Sequence, residues 1–342
     1  MQTCDSVGRI QLKRAICNTV AVISQYIKLD ISIVTEFFAS QIILSPRKYA
    51  WKLSWANTVN LNIGFENTTD EHVECTTDPF LNIKYKYPAI PGKYHLKIDC
   101  VIDKEDIILL PLYTEAIDVK DLKTSESESP RIFSCLRVIN FSVEAGKDDC
   151  IIIRENYAAT LGSHLWDSSI ILSRYFALNR ANYLNGDTVI ELGAGLGLCG
   201  LWFAKFTNFK RVLITDKLDQ LSYIQSNIDL NSLHEKAEAA ILDLSQVSVD
   251  ESFNFVNLII AADVLYDEGL VSSLFATVRK ILEQSTHKDL QLIVAQKIRG
   301  SEDSKFLTLN NIYNKFLING FKYCILHEEA GVYVWKLNIT TI

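Results

Sequence analysis

Glu191 stands two positions ahead of Gly193 in the stretch V-I-E-L-G-A-G-L-G-L-C, residues 189–199. There a hydrophobic run passes through Gly193, Gly195 and Gly197 into a second apolar run. A dinucleotide-binding turn is spaced G-x-G-x-x-G so that helix-terminal amides meet an anionic pyrophosphate. In this chain Leu198 occupies the place of the third dinucleotide glycine. A carboxylate beside the turn repels a pyrophosphate and suits a ligand carrying an ammonium group. S-adenosylmethionine, with its α-amine, sulfonium and ribose, is such a ligand, and the expected chemistry is methyl transfer.

Three further acids follow at regular places. Asp216 closes the run R-V-L-I-T, and a carboxylate there can accept both hydroxyls of a ribose. Asp243 closes a third run and is placed to meet an adenine amino group. The fourth run ends in A-A-D-V-L-Y, which contributes Ala262, Asp263 and Tyr266. Any one of these acids alone reads equally as a helix cap or a solvated loop residue. Their conjunction at four successive run ends is what points to one site.

The elements needed to position them are legible as alternation. Strands are expected at Thr188–Leu192, Arg211–Thr215, Glu238–Leu242, Asn257–Ala262, Leu290–Gln296, Tyr323–His327 and Val332–Leu337. Helical runs at Leu198–Phe206, Leu218–Leu230, Gly269–Leu282 and Ser304–Ile318 lie between them, and Asp167–Leu178 precedes the set. Strands alternating with helices imply a parallel sheet whose ligand sits at the carboxyl ends of the strands. Only four residues, Glu328–Gly331, join the last two strands, which requires an antiparallel hairpin. The expected class is therefore α/β, a Rossmann-like seven-stranded sheet with its last strand antiparallel.

Three regions are expected along the chain. Residues 120–131, K-D-L-K-T-S-E-S-E-S-P-R, are charged, serine-rich and proline-containing, and read as a linker. Residues 1–119 before it read as a mixed α+β region that selects a substrate or caps the site. In it Val7–Tyr26 and Ile31–Leu44 are taken as helical, followed by short strands from Leu61. Residues 132–342 hold the catalytic domain, opening on a hairpin of Val138–Val143 and Cys150–Arg154.

Composition bounds the partners. Of 342 residues, 48% are hydrophobic and 22% charged, with a net charge of -7, so no basic surface is available to grip a nucleic-acid backbone. The eight cysteines include no C-x-x-C pair. This argues against zinc and disulfide frameworks and for a reducing, cytoplasmic (or nuclear) setting. No basic-then-apolar leader opens the sequence. The most apolar early stretch is broken by Asn18, Gln25, Lys28 and Asp30, too polar to span a bilayer. No metal is expected, and the chain is taken as a monomer.

The stretches L-W-D-S-S-I-I-L-S-R-Y-F (165–176), V-I-E-L-G-A-G-L-G-L-C-G (189–200) and L-I-I-A-A-D-V-L-Y-D (258–267) together resemble the family 16 methyltransferases. These are seven-β-strand protein-lysine methyltransferases marked by an Asp-x-x-Tyr motif, whose members modify translation factors, chaperones, an ATPase or calmodulin. The resemblance covers about Ile132 to Leu337. It implies that Trp166 lies against S-adenosylmethionine, and that Glu191, Gly193, Ala194 and Gly195 meet its methionine end. It further implies that Asp216 holds the ribose, and that Asp243 and Leu244 flank the adenine. The family usually carries tryptophan where Leu244 stands, so stacking is lost or supplied elsewhere. Asp263 and Tyr266 match the motif on the methyl-acceptor side, and the implied partner is a protein bearing the target lysine. Rival readings are an RNA or small-molecule methyltransferase, a dehydrogenase, or a catalytically silent binding protein on the same fold.

Overall fold

A computed structural model of the chain describes residues 6–12, 16–17, 19–21, 26–34, 48–60, 64–67, 71–77, 80–88, 90, 92–102, 107–120, 131–132, 134–141, 150–156, 160–246, 253–287 and 290–339. It divides into two compact units, Met1–Thr160 and Leu161–Ile342.

Among its described residues the first unit is built of strands, which corrects the helices expected there. Ser6–Leu12 and Tyr26–Val34 are strands of a four-stranded sheet. The reason lies in the run Ile27, Leu29, Ile31, Ile33, which alternates strictly with Lys28, Asp30 and Ser32. That is a period of two, and a boundary drawn at Asp30 hides it. The remainder of the expected second helix falls outside the described residues. A larger sheet pairs Tyr49–Asn60 antiparallel with Gly92–Ile102. Leu29, Ile31 and Ile33 from one sheet and Trp51, Leu53, Trp55, Leu96 and Ile98 from the other share one core.

The hairpin Ser134–Asn140 with Cys150–Asn156 forms, but Ser134–Asn140 pairs onward with Leu112–Thr114. The hairpin therefore completes the first unit's sheet, and the division between units falls after Thr160 rather than at residue 131. Residues 121–130, the heart of the expected linker, lie outside the described residues.

The second unit carries the candidate site. Its strands are β1 (Thr188–Leu192), β2 (Arg211–Asp216), β3 (Ala237–Ile241), β4 (Val256–Ala262), β5 (Gln291–Lys297), β6 (Phe321–Glu329) and β7 (Val332–Ile339). Its helices are α1 (Asp167–Leu178), α2 (Leu198–Phe206), α3 (Leu221–Leu230), α4 (Glu268–Gln284) and α5 (Glu302–Ile318). The sheet order is 3-2-1-4-5-7-6, parallel through β5, with β7 inserted antiparallel between β5 and β6. All five residues of β1 are buried, as a central strand covered by helices on both faces must be. α1 packs on α2 through aromatic rings, Phe176 lying 4.8 Å from Phe203 and 5.7 Å from Trp202. Each such buried ring contributes roughly 1.5–3 kcal/mol, which holds the loop before α1 in register with the turn before α2. The order reverses between β2–β1 and β4, so the crevice of the switch point opens at the carboxyl ends of β1 and β4.

Candidate active site

The turn after β1 is held from three sides. Ala194 donates its amide to the Thr215 carbonyl at 3.0 Å, and Gly195 donates to Asp216 Oδ2 at 2.7 Å. The ends of β1 and β2 are thereby one structure. Gly193 has a left-handed φ of +62°, and a methyl group added there would lie 2.8 Å from Val264 Cγ1. The turn leaves no room for a side chain, so the backbone itself faces the crevice.

Glu191 does more than the sequence suggests. Gly197 caps α2 with φ +79° and has no side chain to offer the helix amides. Glu191, reaching from β1, accepts the Gly200 amide at 2.7 Å and supplies the missing cap. Its carboxylate thus turns under the glycine turn, where burial pushes its pKa up to about 8 against the opposing pull of the helix amides. Asp216, also buried, is raised by the same desolvation, although it accepts amides from Gly195 and Lys217. Two desolvated carboxylates meet at this turn, an arrangement suited to a cationic ligand.

Asp243 is spent on its own loop. It accepts from the Ser245 amide at 2.9 Å and the Ser245 hydroxyl at 2.7 Å, and the Ser245 hydroxyl hydrogen bond leads the effects that hold its pKa below the usual carboxylate value. Leu244 beside it is buried and packs in the core that includes Val264; its Cδ1 would be 3.8 Å from a methyl group at Gly193. An aliphatic wall therefore stands where the family usually carries a stacking ring. Ala262 ends β4 half-buried.

At the end of β4 the chain turns sharply, and Asp263 takes a left-handed φ of +58°, rare for a residue with a side chain. Its amide donates to Ala295 O at 2.9 Å. Its Oδ1 accepts Gln296 Nε2 at 2.6 Å, and Arg299 grips both oxygens, NH1 to Oδ1 at 3.1 Å and NH2 to Oδ2 at 2.9 Å. The Arg299 guanidinium lies 5.5 Å from the centroid of the Trp166 ring. Trp166, the residue just before α1, donates its indole N–H to Leu161 O at 3.1 Å. Tyr266, three residues past Asp263, is 66% exposed and stands apart from this cluster's buried part.

Gln296, Arg299 and Lys297 are functional candidates that the strand-end reasoning missed, because it stopped at β4. Q-K-I-R closes β5, the next strand in the sheet, and the same rule applies to it. Gln296 also accepts the Leu265 amide through Oε1 at 2.8 Å, so one side-chain amide pins both halves of the A-A-D-V-L-Y turn. Gln296→Leu, which leaves the buried Leu265 amide unpaired, is expected to lower unfolding stability by about 2 kcal/mol in a denaturant titration. A change below about 0.5 kcal/mol would show that the turn holds without it. Lys297 donates to buried Asp167 Oδ2 at 3.0 Å. Among the described residues no helix is long and apolar enough to cross a membrane, and no cluster of three or more His, Cys, Asp or Glu could hold a metal.

Comparison with known proteins adds what geometry alone does not. A family model described as lysine methyltransferase matches residues 146–312. The chain is 30% identical over 175 residues to the protein N-lysine methyltransferase METTL21A of Mus musculus, a match spanning 50% of this chain and 75% of the relative. It is 30% identical over 182 residues to the calmodulin-lysine N-methyltransferase of Arabidopsis thaliana, covering 52% of this chain and 56% of that one. Among solved structures, the mitomycin 7-O-methyltransferase MmcR aligns with a TM-score of 0.40 at 11% identity, over 50% of this chain and 54% of its own.

Proposed function

Because the chain belongs to the lysine methyltransferase family, we propose that its second unit transfers methyl groups from S-adenosylmethionine to a lysine amine of a protein substrate. The single observation that carries this at the residue level is the joined turn. Gly195 is tied to Asp216 and Gly200 to Glu191, which leaves two buried carboxylates around a backbone with no side chain in the way. These residues suit the cofactor's ammonium and ribose. Glu191 fixes the turn, and a cationic methionine end would favour its ionised form, while Asp216 retains lone pairs for ribose hydroxyls. When bound, the cofactor supplies an electrophilic sulfonium methyl, which a neutral amine takes in line as the carbon–sulfur bond breaks.

The remaining work falls to this chain's own residues. A free lysine, with a pKa near 10.4, is almost wholly protonated at neutral pH. Burial beside β4 disfavours the ammonium, and holding the amine near the methyl supplies much of the rest through proximity. Asp263 is assigned to positioning rather than to proton abstraction, and Tyr266 to the wall of the acceptor channel. Asp243 and Leu244 bound the adenine side, with an aliphatic contact in place of a stacked ring. The substrate class follows the relatives, whose names specify protein lysines. The reading extends to a cytoplasmic monomer, which the scattered cysteines support as to compartment.

The test is transfer of labelled methyl from S-adenosylmethionine into lysate. Wild-type chain is expected to label a protease-sensitive, nuclease-resistant band. Label lost to nuclease, or confined to small molecules, would favour the rival acceptors. Asp263→Ala is expected to lower the labelling rate about tenfold and Tyr266→Phe about threefold. Wild-type rates in both would remove these residues from the acceptor side.

A further inference from the structure

Trp166, Asp263, Gln296 and Arg299 come from the start of α1, the end of β4, the end of β5 and the segment beyond it, and they form one continuous set of contacts. The carboxylate of Asp263 is 8% exposed as a residue and sits in a fork of two guanidinium hydrogen bonds. Its Oδ1 is further engaged by Gln296. A planar two-bond fork fixes orientation as well as charge. The guanidinium carbon also lies over the Trp166 ring, at a distance where a cation is attracted by the aromatic quadrupole. This geometry bears on a difficulty in the chemistry. A bare carboxylate beside an incoming amine would stabilise its ammonium form, the form that cannot accept a methyl group.

We propose that Arg299 is a charge-compensating positioning residue of the acceptor pocket, holding Asp263 as half of an ion pair laid against Trp166, so that an entering amine meets a pair without net charge. The inference rests on the reading that Asp263 faces the acceptor. The neighbouring charges follow the same design, Lys297 being paired with Asp167. Asp263 then orients the amine through one oxygen without pulling a proton onto it. Arg299 acts through Asp263 and Trp166.

The test uses a charge difference that needs no protein substrate. S-adenosylmethionine carries a sulfonium charge that S-adenosylhomocysteine lacks, and calorimetry on the full chain gives the affinity for each. Arg299→Gln leaves Asp263 uncompensated, so the ratio of the two affinities is expected to shift about fivefold toward the sulfonium form. Arg299→Lys keeps the charge and is expected to keep the wild-type ratio. Asp263→Asn removes the anionic half of the pair and is expected to shift the ratio about fivefold the other way, which keeps the test decisive if Arg299→Gln does not fold. A merely structural Arg299 would weaken both ligands alike and leave the ratio unchanged, and that result overturns the proposal. A wild-type chain that binds neither ligand overturns the cofactor reading, and this inference with it.

Discussion

Glu191→Gln is expected to make the cofactor-free chain increasingly more stable than wild type as pH rises above about 4.5, by roughly 5 kcal/mol at the plateau beyond about pH 8. The direction follows from burial. Desolvation raises the folded pKa of Glu191 from 4.5 to about 8, so between those values the folded chain holds a proton that the unfolded chain has released. The associated stability is complete below the unfolded value and is lost as pH rises through the folded one. Glutamine removes that loss and can still accept the Gly200 amide, so the α2 cap survives. Thermal melts at pH 4, pH 6 and pH 9 without cofactor check this. The two chains are expected to melt alike at pH 4, with the variant already higher at pH 6 and highest relative to wild type at pH 9. Parallel decline of both would show that another group carries the pH dependence. Asp216, raised by burial, adds a decline of the same sign, so the variant keeps some slope. Asp243 is lowered and acts oppositely, its contribution present above its unfolded value and lost as pH falls into the acid range. In the proposed function the stability given up as Glu191 ionises has a use: an ionised, poorly solvated carboxylate favours a cationic ligand. The glutamine variant is accordingly expected to bind S-adenosylmethionine more weakly even where it is more stable.

The second large effect is expected at Gly193. Gly193→Ala must adopt a φ of +62°, costing about 1–2 kcal/mol for a residue with a Cβ. It must also displace Val264, whose Cγ1 lies 2.8 Å from the new methyl group. Valine is branched at Cβ and stiff, so relief must come from the backbone, at about 1–3 kcal/mol. Together these predict a fall of about 10 °C in the melting temperature of this unit. They also predict loss of cofactor binding, because Val264 is joined directly to Asp263. The two causes separate in a Val264→Ala background, where the packing cost disappears and the backbone cost remains. There Gly193→Ala is expected to cost about half as much. An unchanged cost would assign the whole effect to φ.

The second unit was readable residue by residue because its strands are central and its helices amphipathic, so burial wrote a continuous apolar run wherever β1, β2 and β4 pass. Asp216 and Asp263 were legible for the same reason, since a polar residue at the end of such a run marks the open edge of the sheet. The direction taken by Glu191 was not legible. Position in the chain shows that it precedes the turn, but whether its side chain points to a ligand or to the next helix depends on Gly197 having nothing to cap with. Arg299 was missed for a different reason: it lies beyond its strand, and its partners, Asp263 and Trp166, are distant in sequence. In the first unit the alternation around Leu29 and Ile31 is present, but residues 27–30 fall between the two expected helices.

At Asp263, folding and chemistry ask for different residues. A left-handed backbone would be adopted more readily by glycine, and the departure costs on the order of 1 kcal/mol. The chain nevertheless keeps a carboxylate there and surrounds it with Gln296, Arg299 and the Ala295 carbonyl, as if to hold it against its own preference. The left-handed angle is thus the backbone cost of holding a carboxylate where the proposed acceptor side needs one.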